Sequence, residues 1–317
     1  MLRVNARGPI ARKVISKYRN ELRQKVVSLN AIKQGKTIAE EMLQGAKLPD
    51  EFEGYDPLHA VYVYGQNQLS IFAELFLTGF KEIEKLGLAM VDAEDEFQPS
   101  YPPMSPVTNS YFFLWQMCDL STQGAKKESM ASIVIDFLKH IGDFPLSIIQ
   151  VFEAMEASRN GIYLHQGFDE KTKRVLLKEL ITGQQHSVHV ASGYQGEEDE
   201  VWICRLLSSP FNHLSLDYSV AVTTPYVHKV LPTSPLSKWL QYNEYMQSTM
   251  PKSGIGDPIK AYEHIMKYGL HQYYWLEIIF EAYSNYDEQA IYIYGSPAYP
   301  QSFPHFCEEK AKAYNLV

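Results

Sequence analysis

Cysteine is scarce in this chain: three in 317 residues, Cys118, Cys204 and Cys307, far apart and odd in number. That excludes a disulfide framework and a CxxC metal clip, and predicts small buried thiols in a reducing compartment. Long apolar runs are missing as well; none reaches the ~18 residues that a membrane-spanning helix needs. The N-terminus lacks the apolar core of a secretory signal, so the expectation is a cytoplasmic protein with no membrane contact. No GxSxG elbow, HExxH helix or GxGxxG turn occurs, and nothing in the sequence calls for a cofactor. Acid is nearly absent from one end. Residues 1–36 hold ten basic side chains against the single acid Glu21, a charge of +9 that leaves −17 for the rest of a chain totalling −8.

What remains is the composition of a globular protein, 45% hydrophobic and 21% charged, long enough to bury one large core or two ordinary ones. The basic N-terminal arm seeks a polyanion, an acidic protein face, or the acidic body of its own fold.

Helical periodicity runs through the first half. Val14, Ile15, Tyr18, Leu22, Val26 and Leu29 recur every three to four residues and predict an amphipathic helix over 11–29. Ile71, Phe72, Leu75, Phe76, Phe80, Ile83 and Leu86 form a second stripe, which Gly87 ends. Residues 92–110 combine Glu94-Asp95-Glu96 with Pro99, Pro102, Pro103 and Pro106, a density that predicts a surface loop. Two more helices follow, Met130–Ile141 stopped by Gly142, and Pro145–Ala157 with proline in its first turn.

Between Gly161 and Leu231 the period changes. Short runs (162–165, 175–180, 186–191, 201–207, 218–224) are rich in β-branched and aromatic residues. Gly, Asn, Asp and Pro bound them, the pattern of five antiparallel strands. Beyond them Ser234-Pro235 and Asp257-Pro258 each supply an N-cap followed by proline, opening two further helices. Ala290 to Tyr294 alternates too briefly to classify, although one more strand fits.

Each chemical candidate has a plain structural alternative. Asn30-Ala31-Ile32-Lys33-Gln34-Gly35-Lys36-Thr37 ends like a phosphate-binding loop, with Gly35, Lys36 and Thr37 in place, but Asn30 replaces the first glycine. Its alternative is a helix C-cap at Gly35. His186 and His189 have HxxH spacing on a predicted strand, where an odd separation sends the rings to opposite faces, so no metal is expected there. Cys204 follows Val201-Trp202-Ile203 and reads as core. Glu197-Glu198-Asp199-Glu200 reads as a solvated hairpin tip. The β module itself is acidic, which argues against a phosphate-binding groove. Eleven of the 22 tyrosines fall between Tyr242 and Tyr299, as an interface or as an aromatic core.

The expected fold is α+β. A helical region spans 1–157, an antiparallel five-stranded module 158–231 and a tyrosine-rich helical region 232–317. The expected function is that of a non-enzymatic adaptor or regulatory protein. It would bind another protein through Arg12, Lys13, Lys17, Arg19 and Arg23, or through Tyr273, Tyr274, Tyr283 and Tyr286. One alternative is nucleic-acid association through residues 1–36. The other is a nucleotide hydrolase built on Gly35, Lys36 and Thr37.

Overall fold

A computed structural model of the chain describes residues 6–22, 54–97, 106–122, 127–142, 144–211, 216–228, 237–276 and 289–293. The chain divides into two compact units: Met1–Asp92, Phe113–Ala157 and Ser209–Ser215 form one, and Ala93–Phe112, Ser158–Ser208 and Leu216–Val317 the other. No helix among the described residues is long and apolar enough to cross a membrane.

The first unit is helical. Helix α1 (Pro9–Leu22) buries Ala11, Val14 and Ile15, while Arg12 and Lys13 point outward, as the stripe predicts. Helix α2 (Pro57–Gly79) starts where the Asp56 carboxylate accepts the N–H groups of Leu58 and His59, with Pro57 in the first turn. The chain then breaks: Phe80 is extended (φ −130°, ψ 110°), a 3-10 turn covers Lys81–Ile83, and α3 (Glu84–Phe97) begins afresh. The single stripe read over 71–86 is therefore two helices. Gly79 weakens the end of the first, and the Phe80 ring packs against Phe76 and Phe137 at centroid distances of 5.2 and 6.3 Å.

Residues 92–110 also depart from expectation. Glu94, Asp95 and Glu96 lie in the last turns of α3, and α4 (Pro106–Leu114) starts at Pro106, so both ends of the expected loop are helical. Proline ends a helix but equally starts one, where its missing N–H costs nothing. A π-helical turn, Trp115–Asp119, follows α4. Helix α5 (Met130–Ile141) is capped by Ser129 and stopped by Gly142 in a left-handed conformation, and α6 is Leu146–Ala157. Helices α2 and α6 approach closely at Gly65, where a Cβ would stand 2.6 Å from Val151 Cγ1. Phe72 stacks edge-on against Phe152 beside that contact.

The second unit is built on a sheet of seven strands. They are β1 (Asn160–Asp169), β2 (Arg174–Glu179), β3 (Gln185–Val190), β4 (Val201–Ser208), β5 (Ser219–Ala221), β6 (Tyr226–His228) and β7 (Ile291–Tyr292). Their order is β1-β2-β3-β5-β4-β6-β7, and β1 also pairs with β4. Five strands thus close into a barrel, which leaves no open edge between β1 and β4. The expectation of a purely antiparallel module is corrected, because β3 pairs with β5, and β6 with β7, in parallel. Long connections between these pairs allow that direction, whereas hairpins impose the antiparallel one. The run 218–224 supplies β5 alone, and β6 joins the free side of β4 alongside it. Tyr163, Val175, Leu177, Val188, Val190, Trp202, Cys204, Ala221 and Val227 fill the barrel.

Helix α7 (Ser237–Thr249) and, after a 3-10 turn, α8 (Pro258–Tyr268) belong to this unit. Asp257 caps α8 by accepting from Lys260 N–H, the role its sequence assigns. Tyr262 of α8 accepts the Ile162 N–H through its hydroxyl at 3.0 Å, tying the helix to β1.

Candidate functional site

Alternation along the strands turns every second side chain into the barrel, and at each end one of those side chains is a carboxylate. At the first end Glu179, the last residue of β2, is 1% exposed. Its oxygens accept from Arg159 Nη1 at 2.5 Å and Nη2 at 3.3 Å, and from Thr182 Oγ1 at 2.6 Å. The Arg159 guanidinium also lies 5.2 Å from the centre of the Tyr262 ring. Burial alone would pull the guanidinium down, but the Glu179 hydrogen bond and charge outweigh it and hold Arg159 above its ordinary value. Burial first, and Glu179 second, push the Tyr163 hydroxyl and the Cys204 thiol well up. Cys204 is thus a protonated core thiol with no nucleophilic character.

Tyr163 lies flat over Gly161, where a Cβ would stand 2.3 Å from the ring. His186 faces the same interior, its ring edge-on to Tyr163 at 5.7 Å, and burial lowers its pKa. His189 takes the opposite parity on β3, so the strand separates the two imidazoles.

The second end is closed by the turn 193–196 and by Glu200. The reading of Glu197–Glu200 as a solvated tip fails at its last residue, for Glu200 is 1% exposed. Its carboxylate accepts from the Tyr194 hydroxyl at 2.9 Å and from Trp202 Nε1 at 3.0 Å, one donor for each oxygen. Sequence reasoning missed it because the signal is tertiary: Glu200 precedes a buried strand, and only the fold brings Tyr194 and Trp202 to it. His165 completes the group. Gly167 N–H donates to its Nδ1 at 3.1 Å, so the proton sits on Nε2, which donates to Gln195 O at 2.8 Å. Desolvation lowers its pKa despite the neighbouring acids, and the neutral ring has both nitrogens satisfied. Gly196 (φ +69°) seals this end, its Cβ position lying 2.5 Å from Trp202 and 2.8 Å from Glu200.

Both carboxylates are shut away from solvent, and every one of their oxygens accepts a hydrogen bond. What the two groups do chemically is hold the barrel ends, the usual role of a satisfied buried network. Among the described residues, no three His, Cys, Asp or Glu side chains gather in a metal-binding cluster.

Two cations of the basic arm, Arg7 and Lys17, are engaged within their own unit. Arg7 Nε meets Asp136 at 3.0 Å, and its Nη1 reaches Glu156 at 3.6 Å. Glu128, itself buried, accepts the N–H groups of Ile10 and Ala11 at 3.1 and 2.9 Å, capping α1 from 117 or more residues away. Lys17 pairs with Glu82 at 3.8 Å. Arg12 and Lys13 stay exposed. Arg19 belongs to α1, and Arg23 lies outside the described residues, as do Gly35, Lys36 and Thr37.

Of the tyrosines singled out, Tyr274 is buried and presents no ring to a partner, while Tyr273 is half-buried against Phe97 at 5.4 Å. Tyr283 and Tyr286 lie outside the described residues. Tyr242 is also buried, its hydroxyl 2.8 Å from His228 Nε2. Burial, with Lys238 adding to it, holds His228 down to about 3. The described tyrosines of this region are therefore weighted toward core.

The accessible unusual feature lies on the helical unit. Ile71, Leu75 and Leu77 of α2 and Leu88 and Val91 of α3 are all exposed, Leu88 by 58% and Val91 by 52%. Leu77 lies over Gly87, where a Cβ would stand 2.6 Å from its Cδ2, so the two helices share one apolar strip there. Scattered apolar residues on a surface are ordinary, but these include two pairs at helical spacing, Ile71 with Leu75 on α2 and Leu88 with Val91 on α3.

The molecule is an α+β protein with a closed five-stranded mixed barrel and a helical unit. No family model, no curated protein and no solved structure matches the chain.

Proposed function

We propose that this chain is a cytoplasmic adaptor or regulatory protein whose work is to bind another protein. The observation that carries the reading is the two exposed aliphatic pairs at helical spacing, Ile71 with Leu75 and Leu88 with Val91. Water-exposed aliphatic side chains in this number cost free energy, and covering them on a partner recovers about 25 cal/mol for each Å² buried. The closed barrel ends support the same reading from the other side, since neither Glu179 nor Glu200 offers a reachable acid or base. Arg7 and Lys17 of the arm serve carboxylates of their own unit, which leaves these two less to offer a nucleic acid.

The test is quantitative co-purification with the tagged full chain and two variants, Ile71→Ser/Leu75→Ser and Leu88→Ser/Val91→Ser. Proteins retained by the wild type and lost from either variant are the expected result. Identical retention by all three chains refutes the reading.

A further inference from the structure

We infer that the outer face of α3 is a docking surface for a cationic amphipathic helix, a proposal that rests on the protein-binding reading above and gives the partner its chemistry. Glu84, Leu88, Val91 and Asp95 recur at intervals of four, three and four, so they lie along one face of α3. All four are exposed. The buried stripe of the same helix, Leu86, Met90, Ala93 and Phe97, occupies the other side. An apolar pair is thus bracketed by a carboxylate one turn before it and another one turn after it. Leu77 of α2 fills the space over Gly87 beside the pair.

Charge selects the occupant. Helix α3 carries Glu84, Asp92, Glu94, Asp95 and Glu96 against the one cation Lys85. Glu84, Asp92 and Asp95 form no ion pair among the described residues. A second copy of this chain placing the same face against itself would set acid against acid, and a nucleic acid would be repelled. A helix with an apolar pair between lysines or arginines matches instead. Glu84 and Asp95 are eleven residues apart, about 16 Å along the axis, so the ligand needs about three turns with basic groups at both ends. Helix α1 of the same chain is basic and amphipathic, yet its Val14 and Ile15 are already buried, so it is not the occupant.

The probe is a fluorescein-labelled peptide of leucine and lysine with the helical pattern LKKLLKLLKKLLKL, titrated by anisotropy against the full-length chain. A glutamate-for-lysine peptide of the same pattern is the control. Saturable binding of the lysine peptide is expected, with little of the glutamate peptide. Affinity should fall at least tenfold in Leu88→Ser/Val91→Ser and in Glu84→Lys/Asp95→Lys, and should weaken with added salt. All four positions are exposed, so thermal melts of the variants should overlay that of the wild type.

Three results overturn the inference: no binding of the lysine peptide, equal binding by wild type and both variants, or concentration-dependent self-association abolished by the same substitutions. The last assigns the face to a second copy. The two readings separate cleanly. If Leu88→Ser/Val91→Ser loses co-purifying proteins while the lysine peptide fails to bind, the cationic chemistry is wrong and the protein-binding function stands. If co-purification is untouched by every variant, the function itself falls.

Discussion

Glu200 and Gly196 show how much one position can depend on its surroundings. Among the described residues the Glu200 carboxylate has no cation on it, only the Tyr194 hydroxyl and the Trp202 indole N–H. A glutamine keeps an acceptor for Trp202 and offers an amide donor to Tyr194, whose hydroxyl can turn to accept. Glu200→Gln should therefore change stability by less than about 1 kcal/mol. Glu200→Leu strands the buried indole N–H and should cost about 1–3 kcal/mol. Urea unfolding followed by tryptophan fluorescence checks the pair, and equal effects would show that these hydrogen bonds do not matter. Gly196 tests the same enclosure sterically. Its left-handed backbone and the 2.5 Å from a Cβ to Trp202 both penalise Gly196→Ala, by about 2–4 kcal/mol together. Gly142, left-handed but with nothing within 4 Å of its Cβ position, should tolerate alanine at about 1 kcal/mol. None of these contrasts is visible in the sequence, where Gly196 is one more turn residue and Glu200 the last acid of a polar run.

Among the elements, the stop of α5 and the start of α8 were legible locally, whereas the break at Phe80 and the helical ends of 92–110 were not. Gly142 stops α5 and Asp257-Pro258 opens α8, as read, because caps satisfy backbone groups through neighbours a few residues away; the Ser129 cap of α5 is a structural addition. Helix α1 differs: its first N–H groups are satisfied by Glu128, which no local pattern connects to Pro9. The break at Phe80 was hidden for a related reason, since the apolar stripe runs on through it and only packing on Phe137 turns the chain. The remote cap makes α1 separable. Glu128→Ala removes the acceptor of two N–H groups in a buried place and should loosen α1 by about 2–4 kcal/mol. In amide exchange, residues 10–16 should lose at least tenfold in protection, while β4 keeps its own. Gly8→Ala should act in the same direction, because its Cβ would fall 1.9 Å from Glu128 Cδ. Unchanged protection of α1 in Glu128→Ala would show that apolar burial alone holds the helix.

At the scale of the molecule, the α+β class was legible from the change of period at Gly161, but the parallel pairings and the closure of β1 on β4 were not. Pairing between distant strands leaves no trace in alternation, which specifies a face and not a neighbour. The same packing that closes the structure sets its response to acid. Burial lowers the pKa of His165, His186, His228 and His271, and holds His228 at about 3. An unfolded histidine takes up its proton near pH 6.5, while folded His228 does so only near 3. Between those values the unfolded state binds more protons, so stability falls as pH falls; above pH 6.5 both states are neutral and His228 contributes no pH dependence. The slope approaches 1.4 kcal/mol per pH unit, so His228 alone should remove about 2 kcal/mol between pH 7 and pH 5. His165, His186 and His271 act in the same direction, so the informative quantity is a difference. His228→Gln keeps a polar group near the Tyr242 hydroxyl but cannot take the proton. Urea unfolding at pH 7 and pH 5 should show the variant losing about 2 kcal/mol less than the wild type over that interval. Equal losses in the two proteins would mean that His228 is protonated as readily inside the fold as outside it, and that the contact with Tyr242 does not exclude water.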